Sequence, residues 1–324
     1  MKIIYSIVAP IYNEIDNLPE LYRRVKAVMD SSGEAWELIL VDDGSTDGST
    51  EKIRELAKAD PTVRPVIFAR NFGHQVAITA GWDYARGDAI VIIDADLQDP
   101  PEELARFIQK WQEGFEVVYA VRAKRKEGRL KKICYWLFYR LLARVTSFEI
   151  PLDSGDFCLM DRRVVAVLKS MPERSRFVRG LRAWAGFRQT GLVYERQARA
   201  AGEAKYNFRK LVALALDGIF SFSTVPLTLV AQVGMWISGI SFLGIIWALA
   251  TKIFSDIFSR HGFPPVQGFT TIVILILFLG GIQMMSLGII GEYIGRIYDE
   301  VKRRPPWVIQ ASAGIEPKSP DPRS

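Results

Sequence analysis

Asp94-Ala95-Asp96 sets two carboxylates two positions apart just past a short apolar run, with Gln98 close behind. Two hard oxygen donors at this spacing suit Mg²⁺ or Mn²⁺. Such ions take one or two carboxylates and fill their remaining positions with water and substrate phosphates. An ion held there would bridge a diphosphate and neutralise the charge that develops as it leaves. One acidic pair after a strand is weak evidence. Three more apolar runs, however, end in polar groups of the same kind: Pro10-Ile11-Tyr12-Asn13-Glu14, Asp42-Asp43-Gly44-Ser45 and Arg70-Asn71-Phe72-Gly73. Together the four ends bring carboxylates, an amide and an arginine to one rim.

The elements that must position these groups alternate. Apolar runs at Ile3–Pro10, Trp36–Val41, Arg64–Ala69, Ala89–Ile93 and Val117–Val121 predict strands. Helical stretches fall between them, at Asp16–Ser31, Ser49–Ala59, His74–Ala85 and Pro101–Gln112. This alternation predicts parallel strand–helix–strand units in one open sheet. Ligands of such sheets bind beyond the carboxyl ends of the strands. The fifth strand leads into Arg122–Lys132, which holds seven basic residues and one acid in eleven positions and suits an anionic lipid phosphate or headgroup rather than nucleic acid.

The second part of the chain has a different composition. At 324 residues, 49% hydrophobic and with formal net charge +6, the chain has room for about two structural units and is neither disordered nor fibrous. Leu227–Ala250 and Phe269–Gly291 contain no charged residue and are long enough to span a bilayer. Arg209 and Lys210 precede the first run, and Arg296, Lys302, Arg303 and Arg304 follow the second. The intervening segment carries only Lys252 and Arg260 against Asp256, so the basic flanks predict both termini in the cytoplasm. Apolar residues at helical spacing in 207–226 and 292–310 predict amphipathic helices lying in the headgroup plane. The expected organisation is a catalytic domain over 1–206, these two flanking helices, spans over 227–250 and 269–291, an external loop over 251–268 and a disordered tail over 311–324.

Other chemistries find no support. Cys134 and Cys158 make no disulfide framework and fit a reducing compartment. No Cys/His spacing predicts a zinc site, and no Gly-X-Gly-X-X-Gly run follows the first strand, against a dinucleotide-dependent oxidoreductase. His74 opens a helix near the diphosphate position and is given no catalytic duty; His261 is given no role.

The strand-end motifs, with Asp153-Ser-Gly-Asp156-Phe and Gly202-Glu-Ala-Lys205-Tyr206, resemble the family 2 inverting glycosyltransferases of GT-A fold. They are closest to polyprenyl-phosphate glycosyltransferases such as dolichol-phosphate mannose synthases and bacterial undecaprenyl-phosphate glucosyltransferases. The resemblance covers about residues 3–304. It implies a Rossmann-like α/β nucleotide-sugar domain followed by two transmembrane helices, acting at the inner membrane with its catalytic domain in the cytoplasm. Pro10, Tyr12, Glu14 and Asp42 are then expected to form the uracil and ribose pocket, with Arg70 and Asn71 nearby. Asp94 and Asp96 would hold the metal, Gln98 would lie close to the sugar, and Asp156 occupies the position usually called the catalytic base. Family members usually carry Ser or Thr where this chain has Ala69, which removes one hydrogen bond. Arg122, Arg129, Lys131 and Lys205 are the expected acceptor-phosphate contacts. The implied reaction moves a hexose, best read as glucose, from a UDP-sugar to undecaprenyl phosphate. The alternatives are a GDP-mannose-dependent mannosyltransferase, a processive synthase (two spans are few for a channel) and a non-catalytic nucleotide-binding scaffold. Glycines in the spans, such as Gly234, Gly239, Gly280 and Gly281, permit close helix packing and hence a homo-oligomer.

Overall fold

Strands β1 (Tyr5–Ile11), β2 (Trp36–Asp42) and β3 (Val63–Phe68) are buried along their whole length, as strands covered on both faces must be. They belong to the computed structural model of the chain, which describes residues 2–122, 154–171, 173–174, 176–195, 225–253 and 269–311. β1 pairs in parallel with β2 on one side and β4 (Ala89–Ile92) on the other, and β2 pairs in parallel with β3. Helices α1 (Leu18–Ser31), α2 (Ser49–Ala59), α3 (His74–Tyr84) and α4 (Leu104–Gln112) fall where the apolar periods place them. Leu18, Leu21, Val25 and Met29 are the buried stripe of α1, repeating at helical spacing. α3 crosses the sheet so closely that a Cβ on Gly81 would come within 2.0 Å of Val8 Cγ1.

The sheet is not wholly parallel. β6 (Ser154–Asp161) lies antiparallel between β4 and β5 (Val117–Arg122), and β7 (Gln189–Tyr194) pairs in parallel with β5 at the edge. The strand order is β7-β5-β6-β4-β1-β2-β3-β8, where β8 is Ile309–Ala311. β6 begins Ser-Gly-Asp, which reads as a loop, but its next residues are buried on both faces. Phe157 packs against Phe107 of α4 with ring centroids 4.6 Å apart, while Cys158 and Met160 are buried on the opposite face. α5 (Arg162–Ser170) follows directly, its N-terminus capped by Asp161, which accepts from the Arg163 N–H. α6 (Val178–Trp184) then leads into β7.

The chain divides into two compact units, Met1–Gly218 with Arg303–Ser324, and Ile219–Lys302. The second contains α7 (Val225–Ile253) and α8 (Phe269–Val301), of 29 and 33 residues. Among the described residues no helix is long and apolar enough to cross a membrane. Large apolar groups open to the surroundings include Met235, Trp236, Ile240, Phe242 and Leu243 on α7 and Ile276, Met284 and Met285 on α8.

Where an amphipathic helix over 292–310 is expected, α8 instead continues without a break to Val301, and Ile309–Ala311 form β8, antiparallel to β3. Arg303, at φ 47°, turns the chain out of the helix, and Pro305 and Pro306 keep it from resuming. Proline supplies no amide donor and disfavours helix in the residue before it. Beyond them Trp307 stacks on Phe68, with ring centroids 6.4 Å apart, and the Ala69 N–H donates to Val308 O at 2.9 Å. The open edge of β3 is thereby covered. Of the expected helix over 207–226, loop over 251–268 and tail over 311–324, residues 207–224, 254–268 and 312–324 lie outside the described residues, while 225–226 and 251–253 belong to α7 and Ala311 to β8.

At the end of the sheet away from the candidate site, Glu37 is 1% exposed and accepts from Ser6 Oγ at 2.6 Å, the Arg86 N–H at 2.8 Å and Arg64 Nη1 at 2.7 Å. Burial pushes its carboxyl up, but the Ser6 hydroxyl, the Arg86 amide and the Arg64 guanidinium outweigh burial and hold it below the usual carboxylate value. A depressed folded-state value means the contribution is present above the unfolded pKa, near 4.3, and is lost as pH falls through the folded value. Glu37→Gln removes the buried charge that pairs with Arg64 and Arg86 and is expected to destabilise the first unit by about 3 kcal/mol at neutral pH. Urea unfolding followed by tryptophan fluorescence should also show a shallower loss of stability below about pH 4 than in wild type.

Candidate active site

Parallel register sets the ends of β1, β2 and β3 side by side, with Ile11 beside Asp42 and Asp42 beside Ile67. The loops that follow are laced together by short hydrogen bonds. Asn13, held at φ 55°, donates its N–H to Ser45 Oγ at 3.0 Å and accepts at Oδ1 from the Thr46 N–H at 2.8 Å. The Glu14 N–H donates to Ser49 Oγ at 3.1 Å. Asp42 is wholly buried and accepts from the Ser45 N–H at 3.0 Å and from the Thr50 hydroxyl. Gly44 must be glycine: its φ is +70°, and a Cβ would lie 2.5 Å from the carbonyl carbon of Arg70.

Asp43 performs a similar task for the loop after β3. Its carboxylate accepts from the Phe72 N–H at 2.6 Å and the Gly73 N–H at 2.9 Å, just ahead of α3. Burial raises its pKa, and these two amides only partly offset that. The lacing brings Tyr12, Glu14, Asp42, Arg70 and Asn71 to one rim, with Pro10 one residue back on β1. Glu14 accepts from Asn17 Nδ2 at 2.6 Å, Tyr12 is 41% exposed, and Arg70 lies 4.0 Å above the Phe72 ring.

The adjoining half of the rim is built on β4 and β6. Their antiparallel register pairs Ile92 with Cys158. Carried two residues further, it sets Asp94 opposite Asp156. Leu97 adopts φ 57°, a left-handed conformation that costs a branched side chain energy and reverses the chain beyond Asp96. Asp96 accepts from the Gln98 N–H at 3.1 Å, and the next carboxylate, Asp99, is buried and accepts from the Tyr194 hydroxyl of β7.

Asp94 Oδ1 is buried and accepts no hydrogen bond from the described residues, while His74 Nε2 stands 3.5 Å away. Burial, reinforced by Asp99, Asp156 and Asp96 against the pull of His74, raises the Asp94 pKa to about 6. An orphaned carboxylate oxygen in a crowd of like charge fits a divalent cation. Among the described residues no group of three His, Cys, Asp or Glu forms a metal cage. Two carboxylates with the balance from substrate and water match that count.

Asp156 differs from Asp94 in having partners. Arg179 of α6 donates to it bidentately, Nε to Oδ1 at 2.8 Å and Nη2 to Oδ2 at 3.1 Å, and Gln75 Nε2 donates to Oδ2 at 3.2 Å. His74 Nε2 lies 3.6 Å from the same oxygen. Burial opposes the charge, yet Arg179 and then His74 hold the Asp156 carboxyl well below its ordinary range. Burial likewise opposes protonation of His74, but Asp156 and Asp94 prevail and raise it to about 9. Nearly half of the His74 side chain is exposed, so solvent screens part of this attraction.

Of the expected acceptor contacts, Arg122 ends β5 next to Tyr194 of β7. Arg129, Lys131 and Lys205 lie outside the described residues. Sequence reasoning passes over Asp43 as a loop organiser and over Gln75 and Arg179 altogether, and it leaves His74 without the two carboxylate neighbours it has. Arg179 carried a signal: it is a cation between Val178 and Leu181, which are 0% and 3% exposed, and a charge in such surroundings needs a partner.

The family described as "Glycosyl transferase family 2" matches residues 6–168. The chain is 50% identical over 315 residues to "Uncharacterized glycosyltransferase YkcC" of Bacillus subtilis (strain 168), covering 97% of this chain and 95% of that protein. It is 42% identical over 314 residues to "SfII prophage-derived bactoprenol glucosyl transferase" of Shigella flexneri, covering 96% of this chain and 98% of that one. Among solved structures, glucosyl-3-phosphoglycerate synthase from Mycobacterium tuberculosis, in complex with Mn²⁺, UDP and phosphoglyceric acid, is 20% identical over 67% of this chain and 76% of its own, with a TM-score of 0.48.

A carboxylate oxygen that accepts no hydrogen bond favours ion binding at the expense of the empty protein. Asp94→Asn is therefore expected to leave the melting temperature in EDTA unchanged or higher while weakening Mn²⁺ affinity roughly tenfold or more, read by electron paramagnetic resonance of free Mn²⁺ in the presence of UDP. Unaltered Mn²⁺ affinity in the folded variant would move the ion elsewhere.

Proposed function

The chain belongs to glycosyl transferase family 2 and is a glycosyltransferase of GT-A-like α/β fold, and we propose that it transfers glucose from UDP-glucose to a polyprenyl phosphate at a membrane surface. The observation that carries this reading is the meeting of Asp94 with the Asp156–Arg179 pair across the β4–β6 register. One carboxylate is left open for a metal–diphosphate and the other is held in place by a cation. The name borne by the Shigella relative, a bactoprenol glucosyl transferase matched along nearly its whole length, supports glucose as the sugar and a polyprenyl phosphate as acceptor.

In this reading Pro10, Tyr12, Glu14 and Asp42 line the uridine pocket, with Arg70 and Asn71 toward the diphosphate. Asp94 and Asp96 would hold Mg²⁺ or Mn²⁺, which neutralises charge on the departing diphosphate when bound. Gln98 lies on the sugar side. An oxygen of the acceptor phosphate forms a bond to the anomeric carbon as the bond from that carbon to the UDP oxygen breaks. The electron pair leaves with UDP, and an α-linked donor gives a β-linked product. A phosphate monoester has its second pKa near 6, so the acceptor arrives largely as a dianion and needs little help from a base. The low pKa and bidentate partner of Asp156 agree with that: it orients the sugar or the acceptor more than it takes a proton. Arg122 and the basic residues after it, Arg129 and Lys131 among them, with Lys205, steer and grip the acceptor phosphate.

Attachment to a bilayer follows from the same reading. Leu227–Ala250 and Phe269–Gly291 carry no charge, and the large exposed apolar groups of α7 and α8 need an apolar medium. The basic flanks would hold the catalytic unit on the cytoplasmic side. A Cβ at Gly234, Gly239, Gly280 or Gly281 would meet nothing within 4 Å, which leaves room for a second copy to pack closely.

The test is transfer of label from radioactive UDP-glucose to undecaprenyl phosphate by detergent-purified protein, with GDP-mannose and other UDP-sugars in parallel. Label should enter the organic phase from UDP-glucose, vanish with EDTA and carry the β configuration by NMR. Label from GDP-mannose instead, or from no donor, would sink this assignment.

A further inference from the structure

α3 and α6, far apart in sequence, meet through one side chain. Gln75, the second residue of α3, donates from Nε2 to Asp156 Oδ2 at 3.2 Å and accepts at Oε1 from the Val178 N–H at 3.0 Å. Val178 is the first residue of α6, and its N-cap, Phe177, makes no side-chain cap. The opening amides of a helix have no partner within the helix, so the Gln75 carboxamide supplies the missing acceptor. The residue after Val178 is Arg179, whose guanidinium grips Asp156 from the other side. Asp156, Gln75, Val178 and Arg179 therefore close a ring of hydrogen bonds.

The ring makes demands that a carboxamide meets. It needs a donor toward a carboxylate and an acceptor toward an amide, on one side chain and without adding charge. Among side chains of this reach, glutamine offers both in one plane. A carboxylate there would face Asp156 with like charge, and an apolar group would leave both Asp156 and the Val178 N–H short of a partner. The bidentate Arg179 pair fixes the two charged groups to each other, and the first two residues of α3 join Asp156 to that helix. His74 stands 3.6 Å from Asp156 and 3.5 Å from Asp94, and Gln75 adds the hydrogen bonds that reach both Asp156 and the start of α6.

We propose that Gln75 is a positioning residue for glycosyl transfer, holding the Asp156–Arg179 pair in register with the Asp94 side of the site. This rests on the proposed reaction. Displacement of reacting groups by even about 1 Å can cost on the order of a hundredfold in rate, so losing the tie should lower turnover and largely spare donor binding, whose uridine pocket on β1–β3 and whose Asp94 and Asp96 it leaves in place.

The experiment compares full-length wild type, Gln75→Met and Gln75→Glu in detergent, measuring kcat and KM with UDP-glucose and undecaprenyl phosphate, UDP affinity by calorimetry, and melting temperature. Gln75→Met keeps the length and loses both bonds. Gln75→Glu keeps the acceptor for Val178 and replaces the donor with a charge facing Asp156. Both should lower kcat roughly tenfold or more, with KM for UDP-glucose and UDP affinity within about threefold of wild type, and Gln75→Glu should fall at least as far as Gln75→Met. A kcat for Gln75→Met within about twofold of wild type would overturn the proposal. So would a loss that merely follows the folded fraction, or one carried by KM for the donor. If wild type itself labels no lipid, the proposed reaction fails and takes this role with it; if wild type turns over and the variants match it, the role of Gln75 alone fails.

Discussion

Everything in the candidate site depends on a reversal of chain direction. The strands at the centre of the sheet run parallel and deliver their polar ends to one rim, and the loop after β4 crowds Asp94 with Asp96 and Asp99, but none of these strands brings a cation-paired carboxylate up to Asp94. β6 does so because it runs the other way, pairing Ile92 with Cys158 and so setting Asp156 opposite Asp94. Two carboxylates brought together in a buried place repel, and the fold resolves the repulsion unequally. Asp156 receives Arg179 and Gln75, while Asp94 keeps a buried oxygen without a hydrogen bond from the described residues. One is pushed to a low pKa and the other to a high one, the divergence expected where two like groups are given two tasks.

This inequality places the strain of the molecule at the site. Leu97 is held in a left-handed conformation, Asp94 is desolvated among like charges, and His74 is drawn toward both carboxylates. The surroundings supply the stability that tolerates it. The core under β1, β2 and β4 is continuous through Ile7, Ala9, Leu38, Leu40 and Val91. Asp43, Asn13 and Gly44 tie the loops over it to one another. Preorganisation of this kind lets an active site favour a charge distribution that only a bound metal–diphosphate completes.

Much of this was legible in the sequence, for definite reasons. The central strands announce themselves as apolar runs ending in polar residues, so the placing of Asp42, Arg70, Asp94 and Asp96 at one rim needs no knowledge of tertiary structure. β6 was less legible because its opening, Ser154-Gly155-Asp156, has the composition of a turn and only its partners make it a strand. Gln75 and Arg179 were illegible in a stricter sense. Their partners are separated from them by 81 and 23 positions for Asp156 and by 103 for Val178, and no local pattern encodes a bond across such distances. The end of α8 belongs to the same class. Helical spacing persists through Ile294, Ile297, Tyr298 and Val301, but the chain then turns to an open sheet edge at β3 that the pattern of α8 does not reveal.

The central claim is that an ion at Asp94 and Asp96 and the Asp156–Arg179 pair form one site around one donor. An experimental structure of the protein with UDP and Mn²⁺, the ion located by its anomalous scattering, tests it most directly. The ion is expected about 2 Å from carboxylate oxygens of Asp94 and Asp96 and from the diphosphate, with uracil against the Tyr12 and Asp42 loops and Asp156 still paired with Arg179. An ion bound away from Asp94, or a diphosphate on a different rim of the sheet, would contradict it.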